Sequence, residues 1–332
     1  MRRLLFAALI FIAVGPVPGT AMRFAETDWT ESATARPLIF APEASGAMRF
    51  VRGWHLISPH SRFGGFSALA WMGPDRLQLI GDNGYWTRLT LDAHGVVSNV
   101  RIRALPTPDG GPPRKTMADT EAMFIDRTTG KSWVALEGVN QIWRLNADLS
   151  KIESRRKLPD PRWPSNRGPE AMARLADGRT VVFSEDADDD PRGREALIYA
   201  GDPAAPGKPP IRFFYDSAGR GLVSDAAALP DGCILLVHRR LGFEPVFTTI
   251  VAIVDPADIK KDAVVRSRTI GRVPAALAEN YEGAAISVEQ GRTWLWLVAD
   301  DNFNVWQRSL LLQFELVNLP PKKKPDSKKA AR

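Results

Sequence analysis

The chain has 332 residues, 44% of them hydrophobic and 25% charged, enough to bury a large core and too apolar for a disordered or fibrous protein. Its formal charge of +6 sits at the ends: Arg2 and Arg3 carry +2 and the tail Pro320–Arg332 carries +5, leaving −1 for everything between. A near-neutral body argues against nucleic-acid binding, and the lone Cys233 excludes an intrachain disulfide and a cysteine-rich metal site.

Met1–Ala21 reads as a secretory signal: two arginines, the apolar run LLFAALIFIAVG, then the small residues of GTA. The run is about twelve residues, short of the roughly 20 that span a bilayer, so no stable membrane insertion is expected once it is cut. Arg2-Arg3 leaves the export route open between the general and twin-arginine pathways. The expected location is the periplasm or the exterior. Residues 22–47 read as an N-terminal extension, 48–318 as the folded body, and 319–332 as a solvated basic tail.

Within the body one arrangement recurs five times, beginning at Phe63, Met117, Asn166, Gly221 and Glu279. Each unit has a polar residue (Ser67, Glu121, Glu170, Asp225, Glu282), a short apolar strand, a turn such as Asp177-Gly178 or Asp231-Gly232, and two further strands. The polar residues stand 54, 49, 55 and 57 positions apart. Between units lie GVVSNVRIRALP, SKIESRRKLP, KPPIRFFYD and DAVVRSRTIGRVP, which read as outer fourth strands. The last unit lacks one, and MRFVRGWHLIS from Met48 precedes the first. The pattern predicts an all-β propeller of five four-stranded blades, closed by that N-terminal strand, with six blades as the alternative if Arg23–Pro42 hides one.

In a propeller the start of each first strand and the end of each second strand meet on one rim. Glu121, Glu170, Asp225 and Glu282 sit at strand starts, and Asp82, Glu137, Glu185, Arg239 and Asp300 at strand ends. So many acids without matching lysines repel one another unless a cation sits between them, and calcium is the candidate, with Asp82, Glu170, Asp225, Asp300 and Asp301 as ligands. The plainer role for any one acid is a tie to a neighbouring blade's backbone. The run Asp186–Gly193 resembles a calcium loop, but Pro191 stands where glycine is needed, so it reads as a hairpin tip. Arg167, Arg239 and Arg308 are placed to hold an anionic group, with salt bridges to rim acids as the plainer role. Trp306 is placed to contact a ligand, whereas Trp294 and Trp296 read as blade packing. His238 alone among four histidines falls where a general base could act, beside Glu121 and Glu282 as catalytic candidates. No G-x-S-x-G, H-E-x-x-H or phosphate-loop motif is present.

The motifs GGFSALAW with GDNG, DTEAMFI with ALEGVNQIWRL, NRGPEAMARLADGR with FSED, VSDAAALPDG with HRR, and NYEGAAIS with LVADDNFNVWQRSLLLQFEL resemble the bacterial phytase-like family, "esterase-like activity of phytase". The resemblance runs from about Phe63 to Leu316. It implies a secreted propeller that hydrolyses phosphate or carboxylic esters, with calcium on the rim by analogy with propeller phytases. Ser67 in the first unit departs from the acid pattern. The leading expectation is a metal-dependent hydrolase in which rim carboxylates bind calcium, the metal lowers the pKa of a water and arginines orient a small anionic ester. The alternative is a non-catalytic propeller that binds a ligand or an envelope protein at the same mouth. Polyanion binding by the basic tail ranks behind both.

Overall fold

The computed structural model describes residues 27–159, 163, 168–185 and 190–322. The leader Met1–Ala21, Arg167, the acids Asp186 to Asp189 and the tail beyond Lys322 fall outside the described residues.

Three N-terminal strands come first: β1 (Thr34–Pro37), β2 (Ala44–Ser45) and β3 (Met48–Ile57). The first blade holds β4 (Phe66–Gly73), β5 (Arg76–Gly81), β6 (Tyr85–Leu91) and β7 (Val97–Ala104). A helical turn at Lys115–Ala118 leads into the second: β8 (Thr120–Ile125), β9 (Ser132–Leu136), β10 (Gln141–Leu145) and β11 (Ile152–Lys157). The third holds β12 (Pro169–Arg174), β13 (Thr180–Ser184), β14 (Arg194–Tyr199) and β15 (Ile211–Asp216). The fourth holds β16 (Leu222–Ala228), β17 (Ile234–Leu241) and β18 (Phe247–Val254), then, past β19 (Val264–Arg266), β20 (Arg268–Arg272). The fifth opens with β21 (Asn280–Glu289), β22 (Arg292–Asp300) and β23 (Leu310–Leu316). The turns Asp177-Gly178 and Asp231-Gly232 join first and second strands, and Gly178 and Gly232 take φ of +88° and +83°, a region that residues with a Cβ adopt reluctantly.

Closure follows the sequence pattern: β3 pairs antiparallel with β23, Trp54 opposite Leu311, and becomes the outer strand of the fifth blade. The stretch considered for a sixth blade gives β1 instead, an extra strand on the edge of β3, with Thr34 opposite Ile57. One outer segment differs from its expected form. DAVVRSRTIGRVP divides at Ser267: β20 completes the fourth blade while β19 crosses to pair parallel with β15 of the third. The Ser267 side chain meets the Tyr215 hydroxyl at 2.6 Å and its carbonyl accepts from Arg220, which fixes the break.

Each blade buries both faces against its neighbours, so β9 and β13 are buried along their whole length. The core is accordingly five interblade clusters. One joins the fourth and fifth blades through Phe50, Val237, Leu295 and Phe314; another joins the fifth to the first through Leu56, Leu79, Trp71 and Trp296. Trp296 stacks on Trp71 at 4.9 Å and on Trp54 at 6.3 Å, locking the last blade to the first. Burial of each such side chain contributes about 1.5–3 kcal/mol. Among the described residues no helix is long and apolar enough to cross a membrane.

Candidate functional site

The inner strands β4, β8, β12, β16 and β21 each carry a register shift one or two residues after their start, between Phe66/Ala68, Thr120/Ala122, Pro169/Ala171, Val223/Asp225 and Tyr281/Gly283. A bulge re-aims the extra side chain out of the ladder. The bulged residues are Ser67, Glu121, Glu170, Ser224 and Glu282. The fourth blade therefore departs from the reading of the sequence, because Ser224 occupies the slot assigned to Asp225. Aligning FSAL, TEAM, PEAM, VSDA and YEGA makes the one-residue offset visible.

The two serines have a common task. Ser67 Oγ donates to the carbonyl of Thr120, and Ser224 Oγ to that of Tyr281 at 3.0 Å, each fixing the backbone just before a bulged glutamate in the next blade. Asp225 stands where the other blades have Ala68, Ala122, Ala171 and Gly283, and it works as an interblade tie. It accepts from the amides of Ala284 at 2.6 Å and Ala226 at 2.7 Å. Burial holds its carboxyl well above the usual range, against those two bonds.

Glu121, Glu170 and Glu282 turn toward one mouth, where strand-end residues join them. Carboxylate oxygens of Asp119, Glu121 and Glu137 lie within 4.8 Å of one another, as do those of Glu137, Glu170 and Glu185, so Glu137 belongs to both groups. Glu137 accepts from the Gly168 amide at 2.8 Å, and burial, with Asp119 and Glu185 nearby, pushes its pKa up to about 7. Glu121 and Glu170 are raised well above the carboxylate range, first by burial and then by each other's company: Glu170, Asp119 and Glu282 around Glu121, Glu185 and Glu282 around Glu170. Asp300 is raised by burial and by Glu282, Asp82 and Asp301. Glu137 was legible as an acid at a strand end, whereas Asp119, just before β8, was not singled out; their convergence required the blade geometry.

Two cations reach this mouth among the described residues. Arg239, half-buried, donates to Asn280 at 2.8 Å, to Glu282, and to Glu185 at 3.0 Å, bridging the third, fourth and fifth blades. Lys115 donates to Asp82 at 2.7 Å and approaches Asp119 at 3.7 Å. Glu121, Glu137 and Glu170 have no ion pair among the described residues, and Asp119 Oδ1 is buried without a hydrogen bond. An all-oxygen donor set of this kind fits a hard divalent cation. Beside it Gly65 (φ +59°) lets the backbone pass close: a Cβ there would meet Asp82 Oδ1 at 2.6 Å and the Phe303 ring.

The other candidates are scattered. Asp301 ties the loop after β22 to the first blade, accepting from the Gly65 amide at 3.0 Å and from Ser309 Oγ at 2.7 Å. His238 is buried between the third and fourth blades, 2.7 Å from the Tyr215 hydroxyl and 3.2 Å from the Ile250 carbonyl; burial lowers its pKa to about 4. That position does not open on the mouth. Arg308 donates to Glu279 at 2.7 Å. Trp306 is 74% exposed in the loop between β22 and β23, on the rim. Arg167 lies outside the described residues.

The fold resembles that of a gluconolactonase from Xanthomonas campestris, with 15% identity over 86% of this chain and 88% of that one and a TM-score of 0.44. It also resembles a PQQ-bound aldose sugar dehydrogenase from Streptomyces coelicolor, with 14% identity over 83% and 99% of the two chains and a TM-score of 0.47. No curated protein matches the sequence. Across residues 61–303 the sequence matches the model of the Phytase-like family, esterase-like activity of phytase, and the chain belongs to that family.

Proposed function

We propose that the protein is an exported hydrolase of phosphate or carboxylic esters that depends on a divalent cation, calcium foremost, held at the acidic mouth. The observation that carries this reading is the excess of buried carboxylates on the second and third blades, with Glu137 shared between two groups. Asp119, Glu121, Glu137 and Glu170 would hold the cation. When bound, it supplies Lewis-acid polarisation of a phosphoryl or carbonyl oxygen. Arg239 draws Glu282 and Glu185 to one side through its fork and so leaves Glu121 and Glu170 facing the mouth. Trp306, exposed on the rim, offers an aromatic face to the ester's substituent. Export rests on the leader reading of Met1–Ala21.

The test is turnover of aryl phosphate and aryl carboxylic esters by chelator-treated protein, with and without added calcium. Calcium-restored turnover that is lost in Glu121→Gln and Glu170→Gln, with each variant melting at or above the parental temperature in chelator, is expected. Turnover indifferent to chelator and to both variants contradicts the reading. The second reading, a non-catalytic propeller that binds a ligand or an envelope protein, is favoured by the ion pairs that Arg239 makes with Glu185 and Glu282 and Arg308 with Glu279. It gains ground if no ester is turned over by folded, calcium-loaded protein.

A further inference from the structure

The central channel has a second end. Bulged residues stand at the N-terminal ends of the inner strands, so the C-terminal halves of the same strands lead away from the acidic mouth. At about 3.3 Å per residue, Ile125 lies about 13 Å from Glu121 along β8. There the strands line an open pocket of about 150 Å³, with Trp71, Met123, Ala173, Ala227 and Ala285 among its walls. Alanines at this end of β12, β16 and β21 create the space.

Two arginines border the cavity. Arg127, in the turn after β8, sends Nη2 across the channel end to the Ile286 carbonyl of the fifth blade at 3.2 Å, although the first blade separates the second from the fifth. Arg174 ends β12, and its guanidinium lies 5.5 Å over the Trp133 ring. Neither makes an ion pair among the described residues. Asp126, next to Arg127, has Oδ1 occupied by the amides of Thr128 at 2.9 Å and Thr129 at 3.4 Å. One end of the channel is thus acidic, and the other combines alanine walls with two guanidinium groups, of which Arg174 is near enough to Asp126 to help lower that carboxyl's pKa and Arg127 donates only to a backbone carbonyl.

We infer that this cavity is a separate binding site for a small carboxylate with a short apolar chain, its carboxylate held by Arg127 and Arg174 and its chain lodged among the alanines. A guanidinium fork matches a carboxylate, and a pocket of about this volume admits a ligand of about six heavy atoms. The site stands apart from the ester-hydrolysis reading and holds whether or not the mouth is catalytic.

Calorimetric titration of sodium butyrate into the full chain tests it, with inorganic phosphate as the second probe. Saturable butyrate binding is expected, weakened at least about tenfold in Arg127→Gln and in Arg174→Gln and unchanged in Glu121→Gln. Arg127 is exposed, so its variant retains the fold and is the deciding one. Absence of saturable butyrate binding, undiminished binding by Arg127→Gln, or phosphate binding as tight as butyrate overturns the inference.

Discussion

Removing the negative charge of Glu137 should stabilise the metal-free protein at neutral and alkaline pH and leave it unchanged in acid. The pKa of Glu137 rises from 4.5 to about 7 on folding, driven by burial and then by Asp119 and Glu185. A carboxyl raised in the folded state favours folding fully below its unfolded pKa, and that contribution is lost as pH climbs through the folded value. The window therefore runs from about pH 4.5 to 7, and the difference of about 2.5 pH units corresponds to about 3 kcal/mol. Glu137→Gln keeps an oxygen to accept from the Gly168 amide but carries no charge, so above pH 7 the variant should gain up to about 3 kcal/mol. With an unfolding entropy near 2.1 cal/mol/K per residue, roughly 300 ordered residues convert this to about 5 °C. Scanning calorimetry of parent and variant in chelator, from pH 4 to 8.5, measures it. A variant no more stable than the parent at pH 8, or stabilised equally at pH 4, refutes the picture of a strained acid cluster.

His238 supplies the opposite pH dependence. Its pKa falls from 6.5 to about 4, so its contribution is present above pH 6.5 and lost as pH drops toward 4, by about 3 kcal/mol. Urea unfolding of His238→Gln should show a flatter acid limb than the parent, and parallel limbs would contradict the assignment. Asp225→Ala leaves the Ala284 and Ala226 amides buried without their acceptor, and a loss of about 2–4 kcal/mol is expected with calcium binding unchanged; loss of calcium binding at parental stability would make Asp225 a ligand. Gly65→Ala forces a Cβ against Asp82 and Phe303 at a positive φ, so a lowered melting temperature is expected, and a parental one would show that the loop yields freely.

The architecture was legible because each blade repeats a strand and a turn with a polar residue near the start of the inner strand, and because MRFVRGWHLIS had no partner except the final blade. The acid slot was read correctly wherever glutamate followed one residue into the inner strand, as in Thr120-Glu121 and Pro169-Glu170. It failed at Ser224-Asp225, where an acid beside the slot drew attention from the serine inside it. A bulge leaves no mark in composition, so the side chain it re-aims is visible only through alignment of the units. The division of β19 from β20 was hidden for a related reason: VVRSRTIG alternates well enough for one strand, and the break at Ser267 depends on Tyr215 and Arg220, distant in sequence. His238 looked placed for catalysis because it ends an apolar run beside Arg239. Strand alternation instead sends neighbouring side chains to opposite faces, one into the core and one toward the mouth.

Calcium titration of chelator-treated protein, compared with the Glu121→Gln/Glu170→Gln variant, tests the cation-holding mouth most directly. Saturable binding by the parent that disappears in a variant melting at or above the parental temperature is the expected result. No binding by the parent, or binding that survives both substitutions, would contradict it.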